Sequence, residues 1–296
     1  MKDRLTELGY AAGWRLVRML PLPAARAVFN VAADRAARGN GPGTQRLRRN
    51  LRQVVGPDLS EGELDELVRA GLRSYARYWM EAFRLPSQSR ERFLADFDLV
   101  NSDELHAAIA EGNGVVLALP HVGNWDAAGA WLVSHGYKMI TVAERLKPEG
   151  LFARFVAYRE KLGMEVLPLT GGERPPLDVL ADRLSRGWAV ALLADRDLSA
   201  RGVEVRFFGG RTRMPPGPAL LALRTGAPLF AVDLWFSPER TMARVRRIEL
   251  ATEGALDVRI KETTQRVADA FAVGIAEHPQ DWHMLQKLWL SQSARV

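Results

Sequence analysis

Through the first ninety residues the apolar positions recur every three or four places, the spacing of helices that bury one face. Leu5, Leu8, Ala12, Leu16 and Met19 mark a first helix predicted over 3–19, and others follow over 23–37, 44–54 and 61–84, with the breaker RGNGPG at 38–43. Ser60 followed three places later by Glu63 has the form of a capping box and sets the start of the fourth helix. Beyond residue 96 the texture changes. Short apolar runs, VVLALP (115–120), KMITVA (138–143), MEVLPL (164–169), AVALLA (189–194) and APLFAVDLWF (227–236), alternate with helical stretches near 102–111, 124–134, 149–162, 176–186 and 216–225. Strands apolar on both faces belong inside a layered structure. The pattern therefore predicts an α/β fold: a largely parallel central sheet flanked by helices, with a helical N-terminal extension packed on it. TMARVRRIEL (241–250) alternates polar and apolar and predicts an antiparallel edge strand, and a last helix over 257–277 precedes HPQDWHMLQKLW. No repeat or linker interrupts the chain, so residues 1–296 are expected to form one domain, 1–95 its helical part and 96–296 its α/β body.

Composition narrows the chemistry. With 47% hydrophobic residues in 296, the chain can bury a large core. It contains no cysteine, which excludes disulfides, thiolate nucleophiles and cysteine-type zinc sites and suits a cytosolic protein. The formal charge is +6, carried almost wholly by arginine. Guanidinium forks suit phosphates and anionic headgroups, but most such charges merely solvate a surface. No run reaches the roughly 18 to 20 apolar residues of a membrane-spanning helix, because Arg15, Arg18 and Pro21 interrupt the best candidate. That segment, with Trp14 beside its apolar positions, reads either as an amphipathic helix on an anionic membrane or as a helix packed on the domain. Aromatics are not interleaved with a basic stripe, so nucleic acid is set aside. HExxH, G-x-S-x-G and Walker patterns are absent.

One stretch concentrates reactive side chains. LALPHVGNWDAAGAW (117–131) runs from an apolar strand straight into His121, Gly123, Asn124 and Asp126. In open α/β sheets functional groups gather beyond the carboxyl ends of strands. There His121 can serve as a general base and Asp126 as the carboxylate that orients it and stabilises the imidazolium, with Gly123 in the turn and Asn124 capping the helix. Taken alone, H-x4-D reads rather as a loop histidine before an acidic helix start, because so short a motif is common; its place at a strand end and the motifs that follow change that balance. Two other classes remain open. Asp195 and Asp197 have the spacing of a metal-binding pair in a nucleotide-sugar glycosyltransferase, and an apolar groove with arginines would also suit a non-catalytic lipid carrier.

Several motifs in fixed order add to this. HVGNWD, AERLKP (143–148), ADRDL (194–198), VEVRFFGGRTRMPPGPALLALRTGAPL (203–229) and a tryptophan-containing C-terminus together resemble the glycerolipid and lipid A acyltransferase superfamily. Within it the chain is most similar to the actinobacterial branch that acylates mannosylated phosphatidylinositol. The resemblance implies transfer of a long-chain acyl group such as palmitoyl from acyl-CoA to a mannose hydroxyl, without metal or other cofactor, by a peripheral protein on the cytoplasmic face of the plasma membrane. It matches His121 and Asp126 to the family's histidine and acid, and suggests a second acid at Asp195, with Asp197 and Glu204 as alternatives. An acyl-CoA donor would draw Arg145, Lys147, Arg159 and Arg213 to its phosphates or to the thioester oxygen, and Trp125 and Trp131 to its acyl chain.

Overall fold

The computed structural model describes residues 13–144, 149–197 and 201–290. Residues 13–19 form helix α1, followed by α2 (Leu22–Gly39), α3 (Pro42–Val55) and α4 (Glu61–Arg84). The capping box is formed: Ser60 Oγ accepts from the Glu63 N–H at 3.3 Å, and Glu63 Oε2 accepts from the Ser60 N–H at 2.9 Å. Ala33, Leu47, Leu51, Leu64, Val68 and Leu72 close a small core of their own between α2, α3 and α4. Helix α1 is held by Val17, which is buried, and by Trp14, whose indole N–H donates to the Phe83 carbonyl at 2.8 Å. Leu16 and Met19 point to solvent instead. Leu5, Leu8 and Ala12 lie outside the described residues.

The body follows as α5 (Arg90–Ala95), β1 (Phe97–Val100), α6 (Asp103–Ala110), β2 (Val115–Leu119), α7 (Trp125–Ser134), β3 (Met139–Ala143), α8 (Glu149–Lys161), β4 (Glu165–Pro168), α9 (Pro176–Leu184), β5 (Ala189–Leu193), β6 (Val203–Phe207), β7 (Gly210–Met214), α10 (Gly217–Thr225), β8 (Leu229–Phe236), β9 (Thr241–Ile248) and α11 (Leu256–Glu277). Seven strands form one sheet in the order β1-β9-β8-β2-β5-β3-β4. All neighbours in it run parallel except β8 and β9. This is the mixed α/β architecture that the apolar runs predict, with β2 buried at every position.

Two features depart from the sequence reading. Strand β9 is antiparallel to β8 as expected but is not an edge, because β1 pairs along it from Phe97 opposite Thr241 to Val100 opposite Arg244. Four residues, FDLV, are too few for periodicity to reveal a strand. The second feature is the antiparallel hairpin β6–β7. Its alternation is plain in three dimensions, with Val205, Phe207, Thr212 and Met214 buried and Arg206, Arg211 and Arg213 exposed, but GGRTR interrupts the run in sequence.

What positions the site is the register of β2 on β5. Leu119 lies opposite Leu193, and the Ala194 N–H donates to the Leu119 carbonyl at 2.8 Å. The second residue beyond each of these partners is His121 on one strand and Asp195 on the other. Parallel pairing thus delivers both side chains to the same end of the sheet.

Candidate active site

After β2, Pro120 ends the ladder and the chain turns through His121–Asn124 into α7. Gly123 is required here. Its φ is +53°, and a Cβ would stand 2.9 Å from Leu234 Cβ, so β8 approaches too closely for any side chain. Asn124 is fully buried and caps α7, its Oδ1 accepting from the Ala127 N–H at 3.0 Å while its amide donates to Glu81 Oε2 at 3.0 Å.

His121 meets Asp195, not Asp126. Its Nδ1 lies 2.5 Å from Asp195 Oδ1, and its backbone N–H donates to Asp195 Oδ2 at 2.9 Å. The indole of Trp282 donates to the same Oδ2 at 3.0 Å. Burial, at 0% exposure, pushes the Asp195 carboxyl upward, but the His121 ring and these donors outweigh it and hold the acid below its ordinary value. An ionised Asp195 accepts the Nδ1 proton and thereby leaves Nε2 of the neutral ring as the proton acceptor. Trp125 stands edge-on to the imidazole, with centroids 5.6 Å apart, and stacks on Tyr78 at 4.0 Å. It therefore walls the histidine, and is not among the residues around the apolar pocket described below.

Asp126, expected as the orienting acid, points elsewhere. One oxygen accepts from Arg159 Nε at 2.7 Å and the other from the Tyr78 hydroxyl at 3.0 Å. Helix geometry explains the difference: five residues beyond His121 and inside the first turn of α7, the side chain faces α4 and α8 rather than the sheet end. Arg159, expected at a phosphate, is occupied by this pair. Burial alone would lower its pKa, but Asp126 and the neighbouring tyrosines raise it above the ordinary value. Burial, joined by the same carboxylate, pushes the Tyr78 phenol upward.

The other sequence candidates separate. Asp197 Oδ2 accepts from the Gly202 N–H at 2.8 Å and Glu204 pairs with Arg211, so neither replaces Asp195. With both Asp195 oxygens engaged by protein donors, the Asp195–Asp197 pair does not present a shared cation site. Arg213 is an exposed position on β7. Trp131 belongs to the core, its ring 5.3 Å from Phe97. Arg145 and Lys147 lie outside the described residues.

Sequence reasoning missed a clamp from the C-terminal segment. Asp281, Trp282 and His283 follow one another, and each grips the reactive turn: the Asp281 carbonyl accepts from the Gly123 N–H at 3.0 Å, Trp282 holds Asp195, and the His283 N–H donates to the His121 carbonyl at 2.8 Å. Beneath them Ser74 Oγ bridges Asp281 Oδ1 at 2.6 Å and His283 Nε2 at 2.9 Å. Burial lowers the His283 pKa to about 3, so this imidazole is neutral. The only signal was a cluster of polar and aromatic residues in DWH, without spacing that names a partner.

His121 opens onto a pocket of about 420 Å³ whose walls include Val142, Leu169, Leu177, Leu192, Leu193 and Leu220. A base held by a buried carboxylate in the wall of a largely aliphatic pocket can deprotonate a hydroxyl beside a bound acyl chain.

Comparison with known proteins follows the same line. The family model described as bacterial lipid A biosynthesis acyltransferase matches residues 4–291. The chain is 53% identical over 288 residues to the phosphatidylinositol mannoside acyltransferase of Mycolicibacterium smegmatis, covering 97% of this chain and 92% of that one. It is 50% identical to the protein of that name from Mycobacterium tuberculosis, covering 97% and 89%.

Proposed function

Because the chain belongs to the bacterial lipid A biosynthesis acyltransferase family, we propose that it transfers a long-chain acyl group, such as palmitoyl, from acyl-CoA to a mannose hydroxyl of a phosphatidylinositol mannoside. The observation that carries this reading is the His121–Asp195 pair at the mouth of the apolar pocket. The acyl chain lies along the leucine-rich wall, where each methylene withdrawn from water contributes about 0.8 kcal/mol. His121 Nε2 takes the mannose hydroxyl proton as that oxygen attacks the thioester carbonyl, and Asp195 stabilises the imidazolium that forms. Collapse of the tetrahedral intermediate breaks the carbon–sulfur bond and returns the proton to the departing CoA thiolate. Asp126 does not enter this relay; it fixes α7, and with it the reactive turn, through Arg159 and Tyr78.

The acceptor is a membrane lipid, and no helix of the described residues is long and apolar enough to cross a membrane. We propose that the protein works peripherally on the cytoplasmic face, resting on α1 and α2, where Leu16, Met19, Val28 and Val31 are exposed. The test is to incubate purified protein with palmitoyl-CoA and mannosylated phosphatidylinositol and identify the lipid product by mass spectrometry. A product heavier by one palmitoyl group on a mannose, absent with His121→Ala, is expected. Transfer only from an acyl-carrier protein would overturn the donor, and a lipid gaining a sugar would overturn the reaction class.

A further inference from the structure

A second cavity, of about 480 Å³, lies between the N-terminal helices and the body. It shares no lining residue with the apolar pocket. Arg18, Arg26, Arg77, Arg84 and Arg92 all border it. Two of these are neutralised, Arg77 by Glu81 at 2.7 Å and Arg92 by Asp96 at 2.5 Å. Arg18, Arg26 and Arg84 have no carboxylate partner among the described residues. Two of them are nevertheless held in place: Arg18 Nε donates to the Phe83 carbonyl at 2.8 Å, and Arg84 Nη1 donates to the carbonyls of Val17 and Leu20 at 2.6 and 2.7 Å. Burial lowers the Arg18 pKa, the signature of a guanidinium partly withdrawn from water without a counter-charge. Among the described residues Glu239 is the only other carboxylate around the cavity, so these residues carry an excess of positive charge.

We propose that this cavity binds the phosphodiester of an anionic phospholipid headgroup. Guanidinium forks lacking carboxylates, two of the three fixed by backbone carbonyls, suit phosphate oxygens. The lipid source follows from the helices that supply them. On α2, Leu22 and Arg26 face the cavity, while Val28 and Val31 are 57% and 64% exposed on the opposite side. On α1, Arg18 lines the cavity, and Leu16 and Met19 are exposed. A helix lying in a bilayer interface with its apolar side down holds its polar side at the depth of the phosphates. The cavity wall also includes Asn124, three residues from His121 in the reactive turn. The proposal takes from the proposed function only that the protein meets an anionic lipid.

The test compares Arg26→Gln with Arg35→Gln in the full chain without acyl-CoA. Both remove one charge from α2, but Arg35 is exposed and does not line the cavity. Co-sedimentation with phosphatidylcholine vesicles containing phosphatidylinositol should weaken roughly tenfold or more for Arg26→Gln, the scale of a lost charge-assisted contact. It should weaken about fivefold or less for Arg35→Gln, the scale of diffuse surface attraction. Equal losses would overturn the site. In the wild type, soluble glycerophosphoinositol should change Trp14 fluorescence, since that ring lies 5.6 Å from the Arg18 guanidinium. Inorganic phosphate doing so as effectively would overturn the lipid source. Headgroup binding without acyl transfer would sink the proposed function and leave this site standing. Acyl transfer with an unchanged acceptor KM in Arg26→Gln would sink this site alone.

Discussion

Asp195 and Asp126 are both withdrawn from water, at 0% and 2% exposure, and both lie near His121, but they differ in what faces them. Asp195 faces an imidazole that can gain and lose a proton, together with two neutral N–H donors. Asp126 faces a guanidinium that never loses its charge and a phenol pushed out of the titrating range. A carboxylate against a titratable partner can support proton transfer, the role proposed for Asp195. One against a permanent cation is a structural pin, and breaking such a buried pair costs about 3–5 kcal/mol because the other charge is left alone.

The largest effects should fall on the first pair. His121→Ala should reduce acyl transfer by roughly a hundredfold to ten-thousandfold, the range for losing general-base catalysis, with little change in the thermal unfolding midpoint. Asp195→Asn should also lose at least about a hundredfold, because an amide neither selects the tautomer nor stabilises the imidazolium. The second pair should respond in stability. Asp126→Ala is expected to lower the unfolding free energy by about 3–5 kcal/mol in denaturant titration, and replacing Arg159 by Met as well should restore much of it. If Asp126→Asn lost as much rate as Asp195→Asn while remaining equally stable, the division between the two acids would fail.

Smaller changes sharpen the contrast. Trp282→Phe removes one donor to Asp195 and should lower the rate by about tenfold, the value of one charge-assisted hydrogen bond. It should also move the acid limb of the rate profile toward neutral pH, because a less satisfied carboxylate holds the imidazolium more tightly. A fall in rate with an unchanged pH profile would make Trp282 merely a packing residue. His283 should leave its mark on stability. Its folded pKa is about 3 against an ordinary 6.5, so the unfolded chain takes up a proton that the folded chain refuses. Its contribution is complete above pH 6.5 and declines as pH falls toward 3, by up to about 1.4 kcal/mol per pH unit. Burial raises the carboxyl of Asp281, which shares Ser74 with it, and that works in the opposite sense at the acid end. Denaturant titrations at several pH values should show a shallower slope for His283→Gln than for the wild type.

The alternation of apolar runs and helical stretches was legible because burial on both faces leaves a mark on every residue of a strand such as β2. The capping box was legible for a similar reason: Ser60 and Glu63 act on each other across three positions. Strand β1 was not, since its four residues depend on β9, more than 140 positions away, to be a strand at all. His121 could be singled out because the end of an apolar strand is itself a sequence feature. Which acid served it could not. H-x4-D places Asp126 near in sequence, but α7 turns that side chain toward Arg159 and Tyr78.

By itself, then, the chain specified most of the helices, the buried parallel strands and the reactive turn after β2, features set by neighbours within a few residues of one another, and it carried the family-wide order of motifs. Tertiary structure alone decided that β5 inserts beside β2, which brings Asp195 to His121 across 74 positions, and that Asp281–Trp282–His283 closes over both. It also decided that three arginines from α1, α2 and α4 border one cavity without carboxylate partners among the described residues. The physical reason is the same in each case. Periodicity and capping are local and recur along the chain, whereas a hydrogen bond between distant residues depends on strand order and helix rotation, which the whole core fixes together.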